Sequence, residues 1–402
     1  MSQESFDPFL PGHANSAWPL LKSLREQTPV APIARGMFYV TRYDEARAVL
    51  RDVEHFSSAA GFRAPGVEVP EEDRVLGEQD PPQHPFIRRL VLSAFNVAAV
   101  RKQEPFIRDQ ARALLEAIPN SATVDLVEAF TVPLPNLATV HLLGFPLGDA
   151  KRIASWSREV MDSEWPAMNR TERGVGFDGA FPEFTAYIDD HIAHLRSAES
   201  IGEGGESLLV QLMKAELDGQ ALSDRQLRAL VHNLLIGGIT TTSQLLGNAA
   251  YELLSSEELA CQIREDPSKI PQMLEESMRL APPVMFIPRG CVKQVEIGGV
   301  LIPAGAKVIV GTASANRDER VFAEADEFVV PREGAERHLT FGFGPHLCLG
   351  AHLARTVGRI GIEELLGRFP QGSIELASGY VFENVPTFFE HGPRSLEVVT
   401  TL

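Results

Sequence analysis

Apolar residues recur at helical spacing along the longest periodic stretch of the chain. Leu227, Leu230, Leu234, Leu235, Leu245, Leu246 and Leu253 predict one helix over residues 223–254. Ser223-Asp224-Arg225-Gln226 has capping-box spacing at its start. At 1.5 Å per residue such a helix is roughly 45 Å long, enough to cross a domain. A second periodic set, Val357, Ile360, Ile362 and Leu365, follows Gly350. The run Met37-Phe38-Tyr39-Val40 and the stretch Glu296 to Ile309 carry strand patterns, with Pro303-Ala304-Gly305 as a turn between two apolar pieces. Residues 57–82 are rich in Gly, Pro and acidic positions and read as a long loop of the kind that serves as a lid or binding element. Gly202-Glu203-Gly204-Gly205 reads as a flexible surface connection. There is no internal repeat or low-complexity linker, so the pattern predicts one unit over residues 1–402, mainly α with small β-sheets.

The middle of the long helix interrupts its own pattern. Gly237-Gly238-Ile239-Thr240-Thr241-Thr242 places poor helix formers where propensity matters most. The glycines permit close packing or a ligand near the backbone, and a threonine hydroxyl can bond the carbonyl four residues back and open a local groove.

Composition narrows the function classes. A formal charge of −17 argues against general nucleic-acid binding, because a phosphate backbone selects basic surfaces. Three cysteines give little ground for a disulfide framework. No apolar run reaches about 18 residues, and Met1 to Trp18 is polar with Pro8 and Pro11, unlike a leader or membrane anchor. These features predict a cytoplasmic catalyst.

Chemistry concentrates in residues 341–350, Phe-Gly-Phe-Gly-Pro-His-Leu-Cys-Leu-Gly. A lone cysteine cannot build a structural zinc or iron–sulfur site, but it can supply the single axial ligand of a haem iron. Gly342, Gly344 and Gly350 would let the backbone approach a planar cofactor and adopt positive φ, while Phe341 and Phe343 could shield the sulfur. The helix predicted after Gly350 would turn its N-terminus toward the thiolate. Cys261 and Cys291 lack such surroundings and read as small buried hydrophobes.

This run resembles the signature of the cytochrome P450 superfamily: Phe, two residues, Gly, three residues, Cys, one residue, Gly. Phe341, Gly344, Cys348 and Gly350 match every fixed position. The resemblance implies a single-domain cytochrome P450 fold of the soluble bacterial type and haem b held by the Cys348 thiolate. In the long helix, Gly237, Gly238 and Thr241 match a second family motif, and Thr240 stands where the family usually carries Asp or Glu. The implied role of Thr241 is proton delivery on the oxygen-binding face. Without the carboxylate, Thr240, Thr241 and ordered water could form the relay, or the enzyme could use peroxide. Glu276 and Arg279, with Phe328 and Arg332 downstream, match the family's structural glutamate–arginine network. His84, Arg88, Arg289 and His346 match propionate partners. The substrate pocket is implied to draw on Leu234, Gly237, Gly238, Val284, Met285, Phe286, Val381 and Phe382, which are mainly apolar.

The implied reaction is insertion of one oxygen atom from dioxygen into a moderately hydrophobic small organic substrate, as hydroxylation, epoxidation or dealkylation according to substrate placement. No flavin domain or iron–sulfur cysteine cluster is fused to the chain, so electrons would come from a separate ferredoxin and an NAD(P)H-dependent ferredoxin reductase. Lys102, Arg108, Arg355 and Arg359 are candidates for a docking patch. A peroxide-dependent or other atypical haem-thiolate enzyme, and a non-catalytic haem sensor, are the alternatives.

Overall fold

The computed structural model describes residues 6–9, 18–62, 67–163, 179–197, 207–387 and 389–402. Its axis is a 32-residue helix over Asp224–Ser255. Both halves of the capping box form: Ser223 Oγ accepts from the Gln226 N–H at 3.3 Å, and Gln226 Oε1 accepts from the Ser223 N–H at 3.0 Å. This central helix buries Leu227, Leu230, Leu235, Leu245, Leu246 and Leu253 and packs against helices Pro133–Leu143, Ala150–Asp162, Ile270–Leu280 and Ala351–Arg368. Being apolar on several sides suits a helix enclosed by others. It packs tightly on the Ala351–Arg368 helix, where a Cβ at Gly358 would stand 2.8 Å from Leu245 and one at Gly361 2.8 Å from Leu246. Those glycines set the separation of the two helices.

The Gly-Gly-Ile-Thr-Thr-Thr segment does not break the helix. Thr240 Oγ1 donates to the Ile236 carbonyl at 3.2 Å, Thr241 Oγ1 to Gly237 at 2.5 Å and Ser243 Oγ to Ile239 at 2.7 Å. Each hydroxyl is thus satisfied by its own helix.

β-Structure is peripheral. One sheet has the order Val30–Ile33, Met37–Val40, Lys307–Val310, Ile287–Cys291, Phe56–Ser57. Its pairings are antiparallel except Met37–Val40 with Lys307–Val310, where Val308 lies opposite Phe38. A second joins Ile374–Leu376, Glu397–Thr401 and Ser121–Asp125. The strand pattern over Glu296 to Ile309 divides once more than its sequence suggests. Gly298 and Gly299, both at positive φ, turn Val295–Ile297 back on Val300–Ile302 before Pro303-Ala304-Gly305 leads into the main sheet.

Within residues 57–82 the described parts, 57–62 and 67–82, are not irregular throughout. They hold a short helix, Ser58–Phe62, and 3₁₀ turns at Glu71–Asp73 and Leu76–Glu78. Asp80 pins the first of these, accepting from Ser57 Oγ at 2.5 Å and the Ser58 N–H at 2.8 Å. The Gly202–Gly205 connection lies outside the described residues.

A buried ionic cluster ties the Ile270–Leu280 helix to the chain leading toward Cys348. Arg279 forks onto both Glu276 oxygens at 2.8 Å and donates to the carbonyls of Asn316, Ala325 and Glu327. Arg332 Nε and the Val329 N–H also reach Glu276, at 2.8 and 3.0 Å. Burial works to raise the Glu276 pKa, but the Arg279 bond and charge, the Val329 amide and Arg332 outweigh it and hold the carboxyl below its usual range. Among the described residues, no helix is long and apolar enough to cross a membrane.

Candidate active site

Side chains four residues apart share one face of a helix. Asn233, Gly237 and Thr241, with Leu234 and Gly238 beside them, face a mostly apolar cavity of about 350 Å³. Residues 341–343 and 346–350 form another part of the wall.

Cys348 is on that wall: its surface is open to the cavity, while the side chain as a whole lies deep within the protein. Its N–H donates to the Phe341 carbonyl at 2.8 Å, closing the loop. Gly342 and Gly344 adopt φ of +76° and +74°. Gly350 does not follow them: at φ −79° it is an ordinary helix-entry residue before Ala351–Arg368. Its contribution is an N–H. Burial pushes the Cys348 thiol above its usual range, while the Gly350 amide, the Arg88 and Arg355 charges and the Ala351 amide pull the other way. Phe343 lies against the guanidinium of Arg47, 4.3 Å from its ring centroid, and Arg355 covers Phe341 at 4.5 Å.

The cavity also brings together His84, Arg88, Arg289 and His346. The two imidazoles stack with centroids 3.8 Å apart. Burial, followed by the Arg88 charge, pushes His84 down to about 4. His346 goes down to about 2 through burial and then the charges of His84, Arg289 and Arg88. Arg289 is pushed down to about 10, chiefly by burial, with Asp80 opposing. Neither arginine has an ion-pair partner among the described residues, and Nε2 of His84 is buried with no hydrogen-bond partner. Arg289 does donate to the Pro288 carbonyl at 2.9 Å, but guanidinium charges without a carboxylate partner around one space call for an anion. Haem carries two propionates and needs an axial donor, and this residue set fits both requirements.

Several expected lining residues lie elsewhere. Val284 faces the cavity, but Met285 and Phe286 are 5 % and 2 % exposed and pack in a separate cluster. Phe286 meets Phe9 and Phe389 at 5.5 Å, because side chains of an extended segment leave on different sides. Val381 is 80 % exposed, and Phe382 stands against Tyr251 and His391, beside the C-terminal end of the central helix. Phe62, Thr139, Asn233 and Phe389 line the cavity instead. Sequence reading missed Ser58 and Asp80 as well. Ser58 Oγ lies 3.1 Å from Nε2 of His346, and Asp80 fixes Ser58. Asn233 had a legible signal, two helical turns before Thr241; the others meet the site only through tertiary contacts.

The cations proposed for docking are largely compensated. Arg108 pairs with Glu363 and Glu364, Arg359 with Glu104 and Glu363, and Arg355 with Glu275. The helices carrying Arg108 and Arg359 do adjoin, but their charges are met by acids on the same helices.

Gly237 and Gly238 differ in what they face. A Cβ at Gly237 would meet only Nδ2 of Asn233, at 3.8 Å, whereas one at Gly238 would press on Thr139 at 3.1 Å. Gly237→Ala is therefore expected to keep the fold, gain up to about 1 kcal/mol from helix propensity and weaken binding of bulky ligands. Thermal melts beside ligand titrations check both effects. A lower melting temperature would mean that Gly237 is packed rather than open.

The family description "Cytochrome P450" matches residues 29–375. The chain is 34% identical over 356 residues to erythromycin C-12 hydroxylase of Saccharopolyspora erythraea, covering 88% of this chain and 87% of that protein. It is 32% identical over 387 residues to Cytochrome P450 109 of Bacillus spizizenii, covering 96% and 92%. Among solved structures it is similar to CYP109Q5 from Chondromyces apiculatus, with a TM-score of 0.87 at 30% identity over 100% of this chain and 99% of that one. A mutant of P450 EryK in complex with erythromycin B gives a TM-score of 0.87 at 33% identity, covering 98% of each chain.

Proposed function

The chain belongs to the cytochrome P450 superfamily, and on that premise we propose a haem-thiolate monooxygenase that inserts one oxygen atom from dioxygen into a moderately hydrophobic small organic molecule. Electrons come from a separate ferredoxin and an NAD(P)H-dependent reductase. One observation carries the reading: a single apolar cavity joins Cys348 to four donors, His84, Arg88, Arg289 and His346, with an unsatisfied buried nitrogen among them.

When bound, haem supplies the redox-active iron at which dioxygen is reduced and an oxygen atom is passed to the substrate. Cys348, as a thiolate, would be the residue that holds the iron, and the nearby Gly350 and Ala351 amides would temper its electron donation. Arg88, Arg289, His84 and His346 would hold the propionates. Ser58, bonded to Nε2 of His346, leaves that ring's Nδ1 for the task. Glu276, Arg279 and Arg332 brace the chain that leads to the ligand loop.

Thr240 and Thr241 each have one hydroxyl hydrogen, already donated to a helix carbonyl. Thr241 faces the cavity and can accept from a water there, fixing the water that moves a proton. Thr240 is buried, and its role is secondary. Thr241→Ala is expected to lower product formed per NAD(P)H by about tenfold, less than the roughly 10²–10⁴-fold contribution of a general acid itself, because Thr241 only positions the water. Substrate affinity should change little, and Thr240→Ala should have a smaller effect. Coupling ratios and solvent isotope effects measure this, and unchanged coupling in both variants would remove threonine from the proton route.

Substrate-dependent NAD(P)H oxidation with labelled dioxygen, on substrates found by screening for a change in haem absorbance, tests the function as a whole. One labelled oxygen atom in the product supports it. Product formed from hydrogen peroxide but not from the reductase system would assign peroxide chemistry, and retained haem without turnover by either route would make the chain a sensor.

A further inference from the structure

We infer that Asn233 is the polar anchor of the substrate: its amide N–H₂ donates to a carbonyl, hydroxyl or ether oxygen on an otherwise apolar molecule. This deepens the proposed function and rests on the cavity being the substrate site.

The orientation of the amide is set by the backbone of the turn Leu76–Glu78, which also lines the cavity. Oδ1 of Asn233 accepts from the Gly77 N–H at 3.2 Å, which leaves Nδ2 as the other end of the group. Nδ2 lies 3.8 Å from where a Gly237 Cβ would stand, and apart from the adjoining residues and the helix's own backbone nothing else described comes within 4 Å of that point. The missing side chain at 237 therefore uncovers the donor. No acceptor for Nδ2 is present among the described residues.

Four of the five other hydroxyls on the cavity wall are committed, and the fifth, that of Thr242, belongs to a buried residue. Thr139 Oγ1 donates to Pro135 at 2.8 Å, Thr340 Oγ1 to Met278 at 2.6 Å, and Thr240 and Thr241 to the central helix. Asn233 is also remote from the proposed chemistry: it precedes Thr241 by two helical turns, roughly 12 Å along the axis. A molecule held at Asn233 thus presents to Thr241 a carbon on the order of 10 Å from its own oxygen. The substrate class is an elongated hydrophobic molecule with an acceptor near one end and oxidation toward the other. Gly77 lies in the turn Leu76–Glu78, so the anchor also ties that turn to the central helix.

Two matched probe pairs test the assignment on the holoenzyme: androstanone with androstane, and tridecanone with tridecane. Calorimetry and haem absorbance give affinities. Wild type should prefer each ketone over its hydrocarbon by about three- to tenfold, the range of a net hydrogen bond. Asn233→Asp at about pH 8, well above an ordinary carboxylate pKa, keeps an oxygen for Gly77 but loses the donor. It should abolish or reverse the preference while hydrocarbon affinity and the carbonyl-bound reduced spectrum stay as in wild type. Asn233→Leu, which loses the donor without adding charge, should abolish it too.

An equal ketone preference in wild type and Asn233→Asp would overturn the assignment. So would the absence of preference in wild type. The proposed monooxygenase activity fails separately: its failure is no turnover, with the ketone preference and its loss in the variants intact.

Discussion

Cys348→Ser is expected to abolish turnover, by at least about 10³-fold, the scale seen when a group on which the chemistry depends is removed. The serine side chain has nearly the shape of cysteine, and the backbone bond from residue 348 to the Phe341 carbonyl does not involve it. The difference lies in the anion. A thiol ionises within a few units of neutrality, and the amides and cations around Cys348 already oppose its desolvation. An aliphatic hydroxyl in the same place stays neutral and donates far less electron density. The carbonyl-bound reduced spectrum should leave the haem-thiolate position, while the melting temperature of the haem-free chain changes little. Persistence of the thiolate band in the variant would assign the ligand to another cysteine. Neither candidate is placed for it: Cys291 is buried in the main sheet, and Cys261 lies against Gln371.

Arg279→Leu should cost about 3–5 kcal/mol, the usual consequence of removing one partner from a buried pair. Glu276 would keep only Arg332 and the Val329 amide, and the carbonyls of Asn316, Ala325 and Glu327 would lose a donor. The conservative Glu276→Gln keeps the volume and makes the pH dependence readable. Glu276 is held below its usual range in the fold, so its ionised form adds stability above the unfolded-state value of about 4.3. That contribution is lost as pH falls through the lower folded value. The stability gap between wild type and Glu276→Gln should therefore be full at neutral pH and close in acid. Denaturant titrations at several pH values measure it. A gap independent of pH would mean that the carboxylate charge contributes nothing.

Much of the fold was legible in local pattern. The leucine periodicity and the Ser223 cap mark the central helix because both depend on residues within one or two turns. The extra hairpin turn at Gly298-Gly299 escaped because Val295 to Ile302 reads as one apolar stretch unless the glycines are taken as a break. Lining residues were harder. Met285 and Phe286 are as apolar as Val284, and only the path of the chain decides which of the three faces the cavity. Phe382 is an exchangeable aromatic in sequence, yet it ends against Tyr251.

The sequence by itself determined that a lone cysteine sits in a glycine-rich turn before a helix, that a glycine–threonine patch interrupts a long helix, and that Glu276 and Arg279 share a helix face. Each is a relation between residues a few positions apart, set by backbone geometry. Tertiary structure decided that His84, Arg289 and His346 converge with Cys348, which the sequence implied only through its family resemblance, that Arg108, Arg355 and Arg359 are compensated by acids, and that Asn233 turns its amide nitrogen toward open space. Those outcomes depend on which surfaces meet when distant segments pack, and on which polar groups are left without partners once they have.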